Sequence, residues 1–229
     1  MSKGEITILI KYTDFNAADT IIDSQYNQEW QSLNAILTQM PLHIKASDQA
    51  GIQGNPIFDP VGTNEYIKAA LIQSGWQSNI PIPIPYRFLG KEVDFCKSGI
   101  IIEIQFSNYP FLLNNTLRSE LFFKAKTEFA GHPTNILILV TKALMFPASN
   151  STLYYEQAVN QLTALVINKV FDIPIRLIGL FEQKNTTVPV IWSQYLSERY
   201  SRTVNNRITR QCEIIAGLSS RSRCQLRLL

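Results

Sequence analysis

Histidine is nearly absent from this chain of 229 residues. His43 and His132 stand apart from each other and from any cysteine, and neither is assigned chemistry. Three cysteines, Cys96, Cys212 and Cys224, cannot pair completely, and none lies in a Cys-x-x-Cys or His/Cys cluster. That disfavours a disulfide scaffold and a zinc site, and it fits a reducing cytosol. No apolar run approaches the length of a membrane span, and the five apolar-rich residues after Met1-Ser2-Lys3-Gly4-Glu5 are too few for a signal peptide. A cytoplasmic protein without a membrane partner is expected. Internal repeats and low-complexity blocks are also missing. Charged residues make up only 17% of the chain against 45% hydrophobic, a balance that buries a sizeable core and argues against disorder.

The little charge present is unevenly placed. Residues 199–229 hold seven arginines (199, 202, 207, 210, 221, 223 and 227) against one acid, Glu213, for a charge of +6. The first 198 residues hold 14 basic against 17 acidic residues, for −3. A basic end suits a segment that touches phosphates, and it equally suits a solvated tail.

Apolar spacing predicts a strand over 6–11 and a helix over 28–39 that stops at Pro41. A long ordered loop is expected over 46–63, then a helix capped by Asn64 and ended near Ser74 and Gly75. Proline at every second place over 79–85 forces an extended segment that cannot be a central strand. Further on, the pattern predicts a helix over 117–128, a buried strand over 135–141, a helix over 151–169 and a buried strand over 176–181. The mixed order points to an α/β fold with a mixed sheet and no boundary before the C-terminal segment.

The most informative stretch is 92–106. Val93–Lys97 and Ile100–Phe106 are two β-type runs, and Ser98-Gly99 between them is a two-residue hairpin signal. That turn sets Asp94 directly opposite Glu103, with Gln105 on the same face and Ile102, Ile104 and Phe106 on the other. Two facing carboxylates repel unless a cation sits nearby, and hard oxygen ligands on a rigid strand suit magnesium. An ordinary amphipathic hairpin with an acidic outer face shows the same spacing, and a one-residue slip would undo the facing pair.

Several segments extend the pattern. Met40-Pro-Leu-His-Ile-Lys-Ala-Ser-Asp-Gln-Ala50, Phe58-Asp-Pro-Val-Gly-Thr-Asn64, the run EIQFSNYPFLLNNT from Glu103 to Thr116, Met145-Phe-Pro-Ala-Ser-Asn-Ser151, Tyr154-Tyr-Glu-Gln157 and Arg199-Tyr-Ser-Arg-Thr203 resemble the BglII family of type II restriction endonucleases. The likeness runs in order from about residue 13 to 203, and the last 26 residues do not follow it. It implies a PD-(D/E)xK nuclease core: a mixed central sheet flanked by helices, here with additional β elements near the C-terminus. An endonuclease domain over 1–203 and a divergent basic segment over 204–229, packed on or continuing it, follow from the same likeness. Gln105 stands where most such nucleases carry lysine, and Val93 replaces their proline.

The resemblance further implies that Asp94 and the backbone carbonyl of Ile104 hold Mg2+, with Mn2+ able to substitute. Glu103 and Gln105 would position the attacking water, and Asn79 matches a further active-site asparagine. Ser107, Asn108, Asn150 and Ser151 match base-contacting residues, and Tyr200 and Arg202 fall in a loop that reaches DNA. Arg118 is a further expected base or phosphate contact. From sequence alone, Asn150-Ser151 reads as a plain helix cap and Arg118 as a surface helix charge. Tyr154, Tyr155 and Trp30 are read as packing or phosphate-positioning residues.

The implied reaction is magnesium-dependent in-line hydrolysis of both strands of duplex DNA by a homodimer, one active site per strand. The implied site is AGATCT, cut after the first A to leave a 5′ GATC overhang. RGATCY or GATC alone are the alternatives, and a cognate DNA methyltransferase is expected in the host. Two other readings compete: a DNA-binding module of this fold that has lost cleavage, and a metal-dependent enzyme acting on small phosphoesters.

Overall fold

A computed structural model describes residues 8–106, 108–148, 153–197, 203–219 and 222–229. The first half runs β1 (Ile8–Phe15), α1 (Ala18–Gln25), α2 (Asn27–Gln39), β2 (Leu42–Ala46), β3 (Pro56–Phe58), α3 (Pro60–Gln73) and β4 (Gln77–Pro81). A 3-10 turn at Ile84–Leu89 leads into β5 (Glu92–Lys97), β6 (Ile100–Ile104) and α4 (Pro110–Lys124). After a short pair, β7 (Glu128–Phe129) and β8 (His132–Pro133), come β9 (Ile136–Lys142), α5 (Tyr155–Ile167) and β10 (Ile175–Glu182). The chain ends with β11 (Thr186–Tyr195), β12 (Val204–Ile215) and β13 (Gln225–Leu228).

Six strands form a mixed sheet in the order β1-β10-β9-β6-β5-β4. Its centre is parallel, β10 with β9 and β9 with β6, while β1, β5 and β4 add antiparallel pairs toward the edges. Every residue of β9 and β10 is buried, as both-face coverage of a central parallel pair requires. A second sheet of five strands runs β13-β12-β11-β2-β3. One apolar core packs α1, α2, α3 and the second sheet against one face of the first, through Leu33, Leu37, Ile67, Ile102, Ile138, Val190 and Ile214. The other face carries α4 and α5, through Leu112, Phe122, Leu162, Ile101 and Leu139.

Three element boundaries differ from the sequence reading in ways that matter to the site. Helix α3 starts at Pro60, not Asn64, because the Asp59 carboxylate accepts the Val61 N–H at 3.1 Å and proline suits the first helical position. Asn64 therefore sits one turn inside the helix. The expected loop over 46–63 includes β3, which pairs with β2. Helix α4 begins at Pro110 rather than 117, which puts Arg118 in mid-helix. The proline-alternating segment is an edge strand followed by the 3-10 turn, consistent with its missing N–H donors. Arg207 and Arg210 of the basic end lie on β12, which is paired along its length with β11.

Candidate active site

The β5–β6 hairpin turns at Ser98-Gly99, both with positive φ (53° and 91°), as a two-residue turn with the strands' own twist requires. A Cβ on Gly99 would lie 2.8 Å from the Pro133 carbonyl oxygen, so the turn is closed to larger residues. The register is the one read from sequence: Lys97 with Ile100, Cys96 with Ile101, and Phe95 with Ile102. The ladder ends there. One step further, the Asp94 carboxylate accepts the Ile104 N–H at 2.8 Å. On its other side, Asp94 faces Asn79 of the edge strand, whose left-handed backbone (φ 55°) interrupts the pairing between Ser78–Phe95 and Ile80–Val93. Asparagine tolerates that conformation better than most residues.

Asp94, Asn79, Phe95 and Ile104 share an open cavity of about 190 Å³ with Asn64 and Lys68 of α3. Asn64 and Lys68 stand one helical turn apart, so both reach the same side. Lys68 Nζ donates to Asn79 Oδ1 at 2.5 Å, and Asn79 Nδ2 donates to Glu92 Oε1 at 2.6 Å. The structure thus brings Asp94, Asn79 and Ile104 together, and it adds Lys68 and Asn64, which the sequence reading did not single out. Their spacing of four on a helix was the available signal, but an α3 capped at Asn64 hid it.

Glu103 and Gln105 are placed differently. The pattern suggested an exposed polar face, yet Glu103 is only 2% exposed and Gln105 is buried. Helix α4 covers this side of the hairpin. Arg118 Nη2 reaches Glu103 Oε1 at 2.5 Å, and Asn115 Nδ2 donates to Gln105 Oε1 at 3.3 Å. Gln105 Nε2 in turn donates to the Asn108 carbonyl at 3.4 Å. Arg118, expected at the DNA surface or as a free helix charge, is instead buried against Glu103. Its seat depends on a missing side chain: a Cβ on Gly90 would lie 2.8 Å from Arg118 Nη1.

Electrostatics ties these groups together. Burial and the neighbouring Asp94 push the Glu103 carboxyl up to about 8 against the pull of Arg118. Burial likewise raises Asp94 above the ordinary carboxylate range, opposed by the Ile104 N–H and by the charges of Arg118 and Lys68. Two acids that each resist ionisation, one of them open to a cavity, form a site that gains from an added cation. Among the described residues no cluster of three or more His, Cys, Asp and Glu stands ready as a metal cage. The available donors, one carboxylate and backbone oxygen, suit a hard ion that keeps several of its own waters.

Asn108 is exposed just before α4 and accepts the Phe111 N–H. Ser107, Asn150, Ser151, Tyr200 and Arg202 lie outside the described residues. Trp30 is buried with the Arg176 guanidinium 4.4 Å from its ring centroid, and the Tyr155 hydroxyl hydrogen-bonds Thr13, which makes both packing residues here. His43 is buried, and its pKa is pulled down to about 4 by that burial. No helix among the described residues is long and apolar enough to cross a membrane.

Comparison with known proteins places this geometry. The model of the family described as restriction endonuclease BglII/BglIII matches residues 10–180. The type II restriction enzyme BglII of Bacillus subtilis is 50% identical over 206 residues, covering 90% of this chain and 91% of that protein. A crystal structure of BglII complexed with a DNA 16-mer superposes with a TM-score of 0.92 at 47% identity, covering 96% of this chain and all of that one. The structure of free BglII covers the same shares with a TM-score of 0.75 at 45% identity.

Proposed function

This chain belongs to the BglII/BglIII family of restriction endonucleases and is a type II restriction endonuclease with that fold; from there we propose that it cuts both strands of a GATC-centred palindrome, AGATCT, after the first A to leave a 5′ GATC overhang. The observation that carries the proposal is the Asp94 carboxylate, desolvated yet opening onto a cavity beside Asn79 and Ile104. Asp94 and the Ile104 carbonyl would hold Mg2+, for which Mn2+ would substitute. Such an ion would supply positive charge beside the phosphoryl oxygen and lower the proton affinity of water.

The protein's own groups orient and polarise. The Ile104 N–H fixes one Asp94 oxygen, and the Asp94 side chain lines the cavity. Glu103 orients the attacking water, and Arg118 holds the Glu103 carboxyl group in place. Gln105, neutral and tied to Asn115 and Asn108, links the catalytic strand to the start of α4. Water attacks the phosphorus in line, the P–O3′ bond breaks, and the products are a 5′-phosphate and a 3′-hydroxyl. No covalent enzyme intermediate forms.

Ser107, Asn108, Asn150 and Ser151 read bases in the major groove, and Tyr200 and Arg202 contact DNA from the basic end. Because Ser107-Asn108 directly follows the catalytic strand, a wrong base displaces the segment that carries Glu103 and Gln105. The enzyme acts as a homodimer, as a palindrome invites. In support, Leu113, Leu117 and Leu121 form an exposed stripe at four-residue spacing on α4. We assign residues 1–203 to the endonuclease domain, with 204–229 continuing it, because β12 pairs with β11. The enzyme works in the cytoplasm of a host that carries a protecting methyltransferase.

The test is digestion of a DNA of known sequence with Mg2+, followed by sequencing of the fragment ends. Ends at AGATCT with a four-base 5′ overhang are expected. Ends at RGATCY or at every GATC would assign a relaxed outer base pair. Intact DNA with retained site-specific binding would reduce the protein to a binding module.

A further inference from the structure

The catalytic strand lacks a cation. Gln105 is neutral, buried and engaged with Asn115 and Asn108, and Arg118 is turned onto Glu103. Hydrolysis of a phosphodiester places extra negative charge on the non-bridging oxygens as water approaches phosphorus, and a fixed positive charge there lowers the barrier. Among the described residues lining the Asp94 cavity, Lys68 is the single cation.

Resting on the function proposed above, we infer that Lys68, delivered by α3 and not by the catalytic hairpin, is the catalytic cation that binds the scissile phosphate. Three observations carry it. Lys68 lines the same cavity as Asp94 and Ile104. Its ammonium is aimed: Nζ donates to Asn79 Oδ1 at 2.5 Å, and Asn79 is itself fixed by Glu92 at 2.6 Å. The left-handed backbone at Asn79 brings that amide to the level of Asp94. Two of the three ammonium hydrogens stay free to reach a phosphate oxygen. Asn79 is then a positioning residue for Lys68, which gives a physical role to an asparagine outside the carboxylate hairpin. During the step, water oxygen bonds to phosphorus and gives up a proton to solvent, the P–O3′ bond breaks, and the departing O3′ takes a proton from solvent to become the 3′-hydroxyl. Lys68 forms no bond to the substrate and acts by its charge.

The test uses the full-length protein and a cognate duplex under single-turnover conditions, with Mg2+ for cleavage and EDTA for binding. Lys68→Met should slow cleavage about a hundredfold or more. Because Lys68 is exposed, the variant's melting temperature should stay at the wild-type value, and duplex affinity should fall by less than about tenfold, well short of the loss in rate. Lys68→Cys should be equally slow and should recover at least tenfold on aminoethylation with 2-bromoethylamine, which rebuilds an amine of nearly the same reach. The three native thiols are buried and pushed up to about 11, so treated wild type should keep its rate. Cleavage by Lys68→Met within threefold of wild type would overturn the inference, as would a loss confined to binding or a failure of aminoethylation to restore rate. Those results leave the nuclease assignment standing if Asp94→Asn is inactive in the same assay. Wild type that cuts no duplex would overturn the nuclease assignment as well.

Discussion

Replacing Glu103 by glutamine should change how stability responds to pH more than it changes stability itself. The carboxyl is buried, sits beside Asp94, and binds its proton up to about 8 in the folded chain. In the unfolded chain it titrates near 4.5. Below that value both states hold the proton and the site carries no penalty. As pH rises, the unfolded state ionises first, so the folded state loses stability until pH passes about 8. At about 1.4 kcal/mol per tenfold change in proton affinity, the whole span is worth roughly 5 kcal/mol. Most of it, about 4 kcal/mol, falls between pH 5 and pH 9. Glutamine has the same shape, still offers an oxygen to Arg118, and does not titrate. Urea unfolding of both proteins in EDTA across that range reads the effect directly. The stability difference should move in favour of Glu103→Gln by about 4 kcal/mol as pH rises. Parallel curves, within about 1 kcal/mol throughout, would refute the claim that Glu103 is a desolvated acid under strain from its neighbours.

Other outcomes follow from the same geometry. Asp94→Asn should lower the single-turnover cleavage rate by about a thousandfold or more while leaving gel-shift affinity for the cognate duplex measurable; near-normal turnover would reject the site. Asn150→Ala should cost about 1–3 kcal/mol of discrimination between cognate and one-base-altered sites, read as a ratio of cleavage rates, with little change in nonspecific binding. Gly90→Ala places a Cβ 2.8 Å from Arg118 Nη1 at a φ of +142°, so thermal unfolding should show a loss of about 1–3 kcal/mol, accompanied by slower cleavage. Leu117→Glu puts a charge in the exposed leucine stripe of α4 and, if the proposed homodimer packs through that stripe, should leave monomers in analytical ultracentrifugation where wild type sediments as a dimer.

The hairpin was legible because its information is local. A two-residue Ser-Gly turn fixes register, register fixes which residues face each other, and Phe95–Ile102 pairing follows. The central strands were legible for a similar reason, since a continuous apolar run such as Ile136–Val140 has few places to go. What escaped depends on where other elements land. Burial of Glu103 is decided by α4, which the apolar spacing started seven residues late because Pro110 and the exposed Leu113 and Leu117 blur its periodicity. Lys68 escaped because the cap is Asp59, not Asn64, a choice set by one side-chain bond to Val61. Strand β12 escaped because half of its residues are exposed, so Arg207, Thr209 and Arg210 carry little apolar alternation to read.

Cleavage as proposed requires a divalent ion to dock against Asp94 when the chain holds its DNA. Crystals of the protein with an uncleaved cognate duplex, soaked in Mn2+ and measured for anomalous scattering, address it without relying on turnover. A peak is expected within coordination distance of the Asp94 carboxylate in every copy of the wild-type chain, and none in Asp94→Asn crystals treated alike. A wild-type complex with no peak beside Asp94, or with an equal peak in the variant, would contradict it.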